Sequence, residues 1–205
     1  LVASPAGEAQ GGCQLPGIFN ARNALAAIAA VTTVGSSLEL ACRGVAACQA
    51  VPGRMQPIEG ESGRVVLVDY AHTPDSLKQF YEAFPNVPKV CILGNTGGGR
   101  DTWKRPEMGG IAARHCDQVI LTNEDPYDEN PRKIVEDMAK GIDDKSKLTI
   151  IMDRREAIRT ALKMAPEGGY VLISGKGTDP YIMGPNNTRQ VWSDAEVVKE
   201  ELARL

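Results

Sequence analysis

Five short apolar runs govern what this chain can fold into: RVVLVD (64–69), KVCIL (89–93), QVILT (118–122), LTIIM (148–152) and YVLIS (170–174). Each is rich in β-branched residues and nearly continuous rather than alternating, the signature of a strand covered on both faces. The stretches between them are long enough for crossover helices, and they carry helix starts. Thr73 precedes Pro74, Pro106 opens EMGGIAARH, Pro131 opens RKIVEDMAKGI, and Asp153 with Glu156 forms a capping box for REAIRTALKMA. Strands and helices alternating in this order predict an α/β fold, a Rossmann-like, mostly parallel, doubly wound sheet flanked by helices over residues 56–205.

Residues 1–55 read differently. Two helical patterns, Ala21–Val34 and Ser37–Ala50, meet at a Gly-Ser break, with no strand expected and a linker near Pro52–Pro57. They resemble the closing helices of a preceding domain.

Composition narrows the function. No apolar run approaches the roughly 18–20 residues that cross a membrane, and LVASPAGEAQGG lacks the regions of a secretory signal, so no membrane partner and a cytoplasmic location are expected. With 23 basic against 26 acidic side chains, the net charge of −3 argues against a nucleic-acid partner. The 5 cysteines lack a CxxC pair and read as reduced packing residues. With 2 histidines and no HExxH, no metal site is expected. Neither GxxxxGK[ST] nor GxGxxG is present.

In an open parallel sheet, ligands bind beyond the carboxyl ends of the strands. Here the strands run into DYAHTPD (69–75), GNTGGGRD (94–101), NEDPY (123–127) and GKGTD (175–179), which hold most of the unusual polar and glycine residues. Each also has a plainer reading: Asp69 and Thr73 as helix caps, Gly97–Gly99 as a turn, and Glu124, Asp125, Asp128 and Glu129 as a solvated acidic loop.

Taken together, LPGIFNARNALAAIAA (15–30), PGRM (52–55), VVLVDYAHTPDSL (65–77), GGGRDTWKRPEMGGIA (97–112), LTNEDPYDENPRKI (121–134) and ISGKGTDPY (173–181) resemble the C-terminal half of the Mur ligases, specifically the MurE branch that adds the third amino acid of the peptidoglycan stem peptide. The resemblance implies two parts, 1–55 from the end of the central ATPase domain and 56–205 as the C-terminal amino-acid-binding domain. It implies ATP and Mg²⁺ as cofactors, and UDP-N-acetylmuramoyl dipeptide, an amino acid and ATP as small-molecule substrates. Asn20, Asn23, Arg54, Asp69 and His72 fall on nucleotide-binding positions. Arg100 matches the arginine that grips the incoming carboxylate, and Asp125, Tyr127, Gly175 and Asp179 match the rest of the amino-acid pocket. No catalytic residue is assigned in this chain, because the P-loop, the Mg²⁺ ligands and the uridine-nucleotide domain would lie upstream of Leu1, leaving it inactive alone.

Where the family's diaminopimelate-adding members carry Asp-Asn-Pro-Arg, this chain has Glu124-Asp125-Pro126-Tyr127, and Gly-Lys-Gly-Thr178-Asp179 stands for Gly-Lys-Gly-His-Glu. Losing that arginine removes the partner of a second carboxylate, while an acidic rim of Glu124, Asp125, Asp128 or Asp179 suits an ammonium. L-lysine or another diamino acid is therefore expected, with Arg132 as the residue that would rescue diaminopimelate. The alternatives are a folylpolyglutamate- or cyanophycin-type ligase, or a non-catalytic Rossmann-like module that binds a nucleotide or amino acid.

Overall fold

The computed structural model describes residues 1–5, 7–58, 63–99 and 101–205, which form two units, Leu1–Val51 and Pro52–Leu205. In the first, strands β1 (Val2–Ser4) and β2 (Gly7–Ala9) pair antiparallel, and helices α1 (Ile18–Thr33) and α2 (Leu38–Ala47) come next. The hairpin corrects the expectation of no strand here, since strands of three residues are too short to show a period in the sequence. Ser37 caps α2, its hydroxyl accepting the Leu40 N–H at 3.2 Å. A small core of Ala9, Ile28, Leu38, Ala41 and Cys42 holds the unit together.

The second unit begins with edge strand β3 (Gln56–Ile58), antiparallel to β4 (Val65–Val68). The chain continues through α3 (Pro74–Glu82), β5 (Lys89–Leu93), α4 (Lys104–His115), β6 (Gln118–Leu121), α5 (Pro131–Ala139), β7 (Leu148–Ile150), α6 (Arg154–Met164) and β8 (Tyr170–Ile173). A hairpin of β9 (Tyr181–Met183) and β10 (Arg189–Val191) leads into α7 (Asp194–Leu202). The sheet order is β3-β4-β8-β5-β6-β7, parallel except at β3. The winding explains the layers. From β4 through β7 the chain runs toward one edge, so right-handed crossovers put α3, α4 and α5 on one face; the return to β8 puts α6 on the other. All five apolar runs become strands of this sheet, and β8, inserted between β4 and β5, makes the switch point.

Alternation along the strands serves both faces. Val66, Val68, Val90, Ile92, Ile120, Val171 and Ile173 pack with Ala157, Ile158, Ala161, Leu162, Val197 and Val198 of α6 and α7. Leu67, Cys91, Val119, Leu121 and Leu172 are equally buried and point the opposite way. On that side α4 and α5 approach closely because Gly109 and Gly141 have no side chain, and a Cβ at either would overlap the carbonyl oxygen of Met138 or of Pro106.

Local starts differ from expectation in three places, the first being α1, which opens at Ile18 rather than Ala21. Helix α4 opens at Lys104, with Pro106 inside its first turn. At α6 the Asp153 carboxylate accepts the Glu156 N–H (2.8 Å), but Glu156 turns to Arg159 (2.6 Å), so the reciprocal half of the expected capping box is absent. The complete box forms at α3, between Thr73 and Ser76. The cysteines bring a correction: Cys91 and Cys116, 25 residues apart, are joined in a disulfide with their Cα atoms 6.1 Å apart, while Cys13, Cys42 and Cys48 are free. Cys91 sits mid-strand and Cys116 directly follows α4, a proximity that spacing does not reveal.

Candidate functional site

At the carboxyl edge of the sheet the loops after β4, β5, β6 and β8 enclose a cleft of about 350 Å³. The first contributes Tyr70 and His72, the second Thr96, Gly97, Asp101 and Lys104, the third Glu124, Asp125 and Tyr127, and the last Gly175 and Asp179. Glycine makes this convergence possible. The Gly97 N–H donates to the Asp125 carbonyl (2.7 Å), and a Cβ there would overlap the Pro126 carbonyl. Gly175, at φ +108°, lies against the Glu124 carboxylate. Two non-glycine residues in the wall, Asp101 (φ +51°) and Tyr127 (φ +50°), are left-handed, a strain that collects at binding sites.

The electrostatics centre on one carboxylate. Lys176, buried beneath the cleft, donates to both oxygens of Asp125 (2.9 and 2.8 Å) and lies 3.5 Å from Asp179. Arg154 is paired with Asp194 in a buried fork of 2.8 and 2.7 Å. These two pairs leave Glu124 over. Its Oε1 accepts the Thr96 hydroxyl (3.0 Å), while its buried Oε2 has no hydrogen-bond partner among the described residues. Burial pushes the Glu124 carboxyl above the usual carboxylate range and Asp125 pushes the same way, with Arg154 and Lys176 pulling it back.

The sequence-predicted residues divide between the units. In the first, Asn20 is buried, its amide donating to the Pro16 carbonyl (2.7 Å) and its oxygen accepting from the exposed Asn23 (3.5 Å). In the second, the buried Asp69 accepts the N–H groups of Met55 and Ala71, each at 2.7 Å, and burial raises its pKa despite those bonds. The exposed Arg54 lies over the Tyr70 ring, 5.4 Å from its centroid. His72 sits 2.7 Å from the Tyr70 carbonyl, which places the proton on Nδ1. His72, Asp125, Tyr127, Gly175 and Asp179 all border the cleft. Arg100 lies outside the described residues. Of the acidic loop, Asp128 instead accepts the Asn186 N–H (2.7 Å), and Glu129 pairs with the buried Arg105 at 2.6 and 2.8 Å. Arg132 is exposed in the first turn of α5 and does not line the cleft.

Sequence reasoning passed over Tyr70, Thr96, Lys104 and Lys176 as site residues. Tyr70, Lys104 and Lys176 lie inside the family motifs, so position was the available signal. Which of them faces the cleft and which is consumed by a buried partner depends on strand register.

Residues 53–177 match the family model of the Mur ligase, glutamate ligase domain. A UDP-N-acetylmuramoyl-L-alanyl-D-glutamate–2,6-diaminopimelate ligase of Gloeobacter violaceus is 39% identical over 99% of this chain and 42% of its own length. The protein of the same name from Thermosynechococcus vestitus is 42% identical over 88% of this chain and 37% of its own. A solved structure of such a ligase superposes with a TM-score of 0.70 at 35% identity, covering 98% of this chain and 42% of that one. The chain thus spans about two fifths of the length of the relatives it matches. With its match across most of the sheet domain, this chain belongs to the Mur ligase family.

Proposed function

We propose that this chain is the amino-acid-binding portion of an ATP-dependent carbon–nitrogen ligase that adds the third amino acid, L-lysine or another diamino acid, to UDP-N-acetylmuramoyl-L-alanyl-D-glutamate in peptidoglycan synthesis. In such a reaction ATP transfers its γ-phosphoryl group to the peptide carboxylate. The amino group of the incoming amino acid then attacks the acyl phosphate, forming the amide and releasing phosphate and a proton. Catalysis of this kind is mostly positioning and charge stabilisation, and this chain would supply the positioning.

The observation that carries the reading is Glu124. A buried carboxylate oxygen with no hydrogen-bond partner among the described residues, in a cleft also bordered by Asp101, Asp125 and Asp179, is matched by a ligand ammonium. Tyr127 stands where diaminopimelate-adding members have arginine, and it brings no cation for a second carboxylate. The names of the relatives, which specify 2,6-diaminopimelate, favour a second reading in which that diamino acid is the substrate.

In the second unit, ATP would be held in part by Arg54, Asp69 and His72. Each Asp69 oxygen takes one backbone N–H and keeps an acceptor direction, which fits a sugar hydroxyl better than a phosphate. Among the described residues no group of three or more His, Cys, Asp or Glu could ligate a metal, so no Mg²⁺ ligand is assigned. The test is an amide-resolved NMR titration with L-lysine, meso-diaminopimelate and L-norleucine in separate samples. L-lysine should shift Glu124, Asp125 and Asp179 while L-norleucine, lacking the side-chain ammonium, should not. Equal responses to lysine and norleucine would refute the charge argument, and a response to diaminopimelate alone would establish the second reading.

A further inference from the structure

The Arg154 guanidinium does more than neutralise Asp194. Besides the fork to that carboxylate, Nη2 donates to the Ser174 carbonyl (2.9 Å) and Nη1 to the Asn123 carbonyl (3.3 Å). These carbonyls lie just past the ends of β8 and β6, and each directly precedes a residue of the cleft wall, Gly175 and Glu124, which lie against each other. Asp194 is itself fully buried, its Oδ1 also accepting the Trp192 indole N–H at 2.8 Å. One cation at the start of α6, seated by the first residue of α7, therefore ties together two loops that are about 50 residues apart in sequence.

We infer that Arg154 is a positioning residue of the cleft: through the carbonyls of Asn123 and Ser174 it fixes the register of the two loops and the placement of the Glu124 carboxylate, and Asp194 with Trp192 makes α7 part of that machinery. The inference deepens the proposed function by making the ammonium-binding geometry depend on α6 and α7, and it rests on that reading only for the identity of the ligand. A plain buried ion pair would behave differently. Replacing both partners by neutral groups leaves no orphaned charge, so a purely structural pair is dispensable; the two carbonyl contacts are not restored by that exchange.

The test uses Arg154→Met/Asp194→Asn, in which the asparagine still accepts the Trp192 N–H, and Arg154→Lys, which keeps the charge but not the fork. Both are examined without ligand by amide hydrogen exchange and by titrating the Glu124 side-chain carboxyl by ¹³C NMR. Among the described residues, the charged and titratable groups that act on Glu124 or share its cleft are Asp125, Lys176, Arg154, Tyr70, His72, Asp101, Lys104 and Asp179, and of these the variants alter Arg154 alone. We expect exchange at Gly97, Tyr127 and Asp179, whose N–H groups donate to the carbonyls of Asp125, Met183 and Lys176, to quicken about tenfold or more while Ile120 and Leu172 in the sheet hold. The Glu124 midpoint should rise further in the double variant, where the Arg154 charge is lost, and should move in Arg154→Lys, where the charge stays, through displacement of the carboxylate. Unchanged loop exchange in the folded double variant, or an unchanged Glu124 midpoint in folded Arg154→Lys, would overturn the inference, and so would unfolding of both variants, which would mark the pair as structural. L-lysine titration of the wild-type chain tests the ligand reading separately.

Discussion

Lys176→Met tests the electrostatic reading of the cleft most directly. The substitution keeps the length and apolar stem of the side chain but removes the cation from both Asp125 oxygens, at a position where the Lys176 side chain is 1% exposed and that of Asp125 10%. Breaking a buried pair by removing one partner costs about 3–5 kcal/mol, because the remaining charge is uncompensated. Asp125 keeps the Met183 N–H at 2.8 Å, which argues for the lower end, about 3 kcal/mol. With a urea dependence of about 1–3 kcal/mol per molar, the unfolding midpoint should fall by about 1–3 M. Tryptophan fluorescence is the appropriate probe, since both tryptophans, Trp103 and Trp192, lie in the second unit. Lys176→Met/Asp125→Asn keeps an acceptor for the Met183 N–H and carries no orphaned charge, so it should recover to within about 1 kcal/mol of wild type. A loss below about 1 kcal/mol in the single variant, or a double variant as unstable as the sum of its parts, would refute the reasoning.

Other expectations rest on single contacts. Glu124 has a folded pKa above its unfolded value of 4.5, so its ionisation destabilises the fold. Its contribution is most favourable below pH 4.5 and is lost as pH rises through the folded value; Glu124→Gln should remove this slope from urea unfolding measured between about pH 4.5 and 7. Glu201, which takes Arg159, Arg155 and Arg204 and is held at about 2, behaves in the opposite sense: its stabilisation is full above 4.5 and is lost toward pH 2, which Glu201→Gln should abolish. Gly97→Ala drives a Cβ into the Pro126 backbone and should cost about 2–3 kcal/mol, a fall in Tm of roughly 4–12 °C. Alkylation of the denatured chain should label 3 cysteines without reductant and 5 with it, read by mass spectrometry; 5 without reductant would disprove the Cys91–Cys116 bond.

The strands of the parallel sheet were legible because burial on both faces writes itself locally, as five apolar runs of β-branched residues. The β1–β2 and β9–β10 hairpins and edge strand β3 were not, since these three-residue strands lie outside those apolar runs. The loops of the cleft were likewise legible from topology, as each succeeds a strand. Which acid in NEDPYDE faces the cleft was hidden, because the answer lies in partners from distant segments: Lys176 takes Asp125, Arg105 takes Glu129, and Asn186 takes Asp128. Only after those pairings are known does Glu124 stand out.

The same pairings explain why a cleft built from loops can hold its shape. Each buried cation spans segments that the strands alone leave independent: Arg105 ties α4 to the loop after β6, Lys176 ties the loop after β8 to the loop after β6, and Arg154 ties both of these loops to α7. Glu129, held by Arg105, in turn accepts the Gly99 N–H at 3.2 Å and so steadies the glycine turn after β5. Charged pairs of this kind contribute little net stability compared with apolar packing, but they are directional, and three of them converge on the segment that carries Glu124. The arrangement holds the Glu124 carboxylate, whose Oε2 has no hydrogen-bond partner among the described residues, in a fixed place. A site preorganised in that way spends less of a ligand's binding energy on ordering the protein, which is what positioning an amine for attack requires.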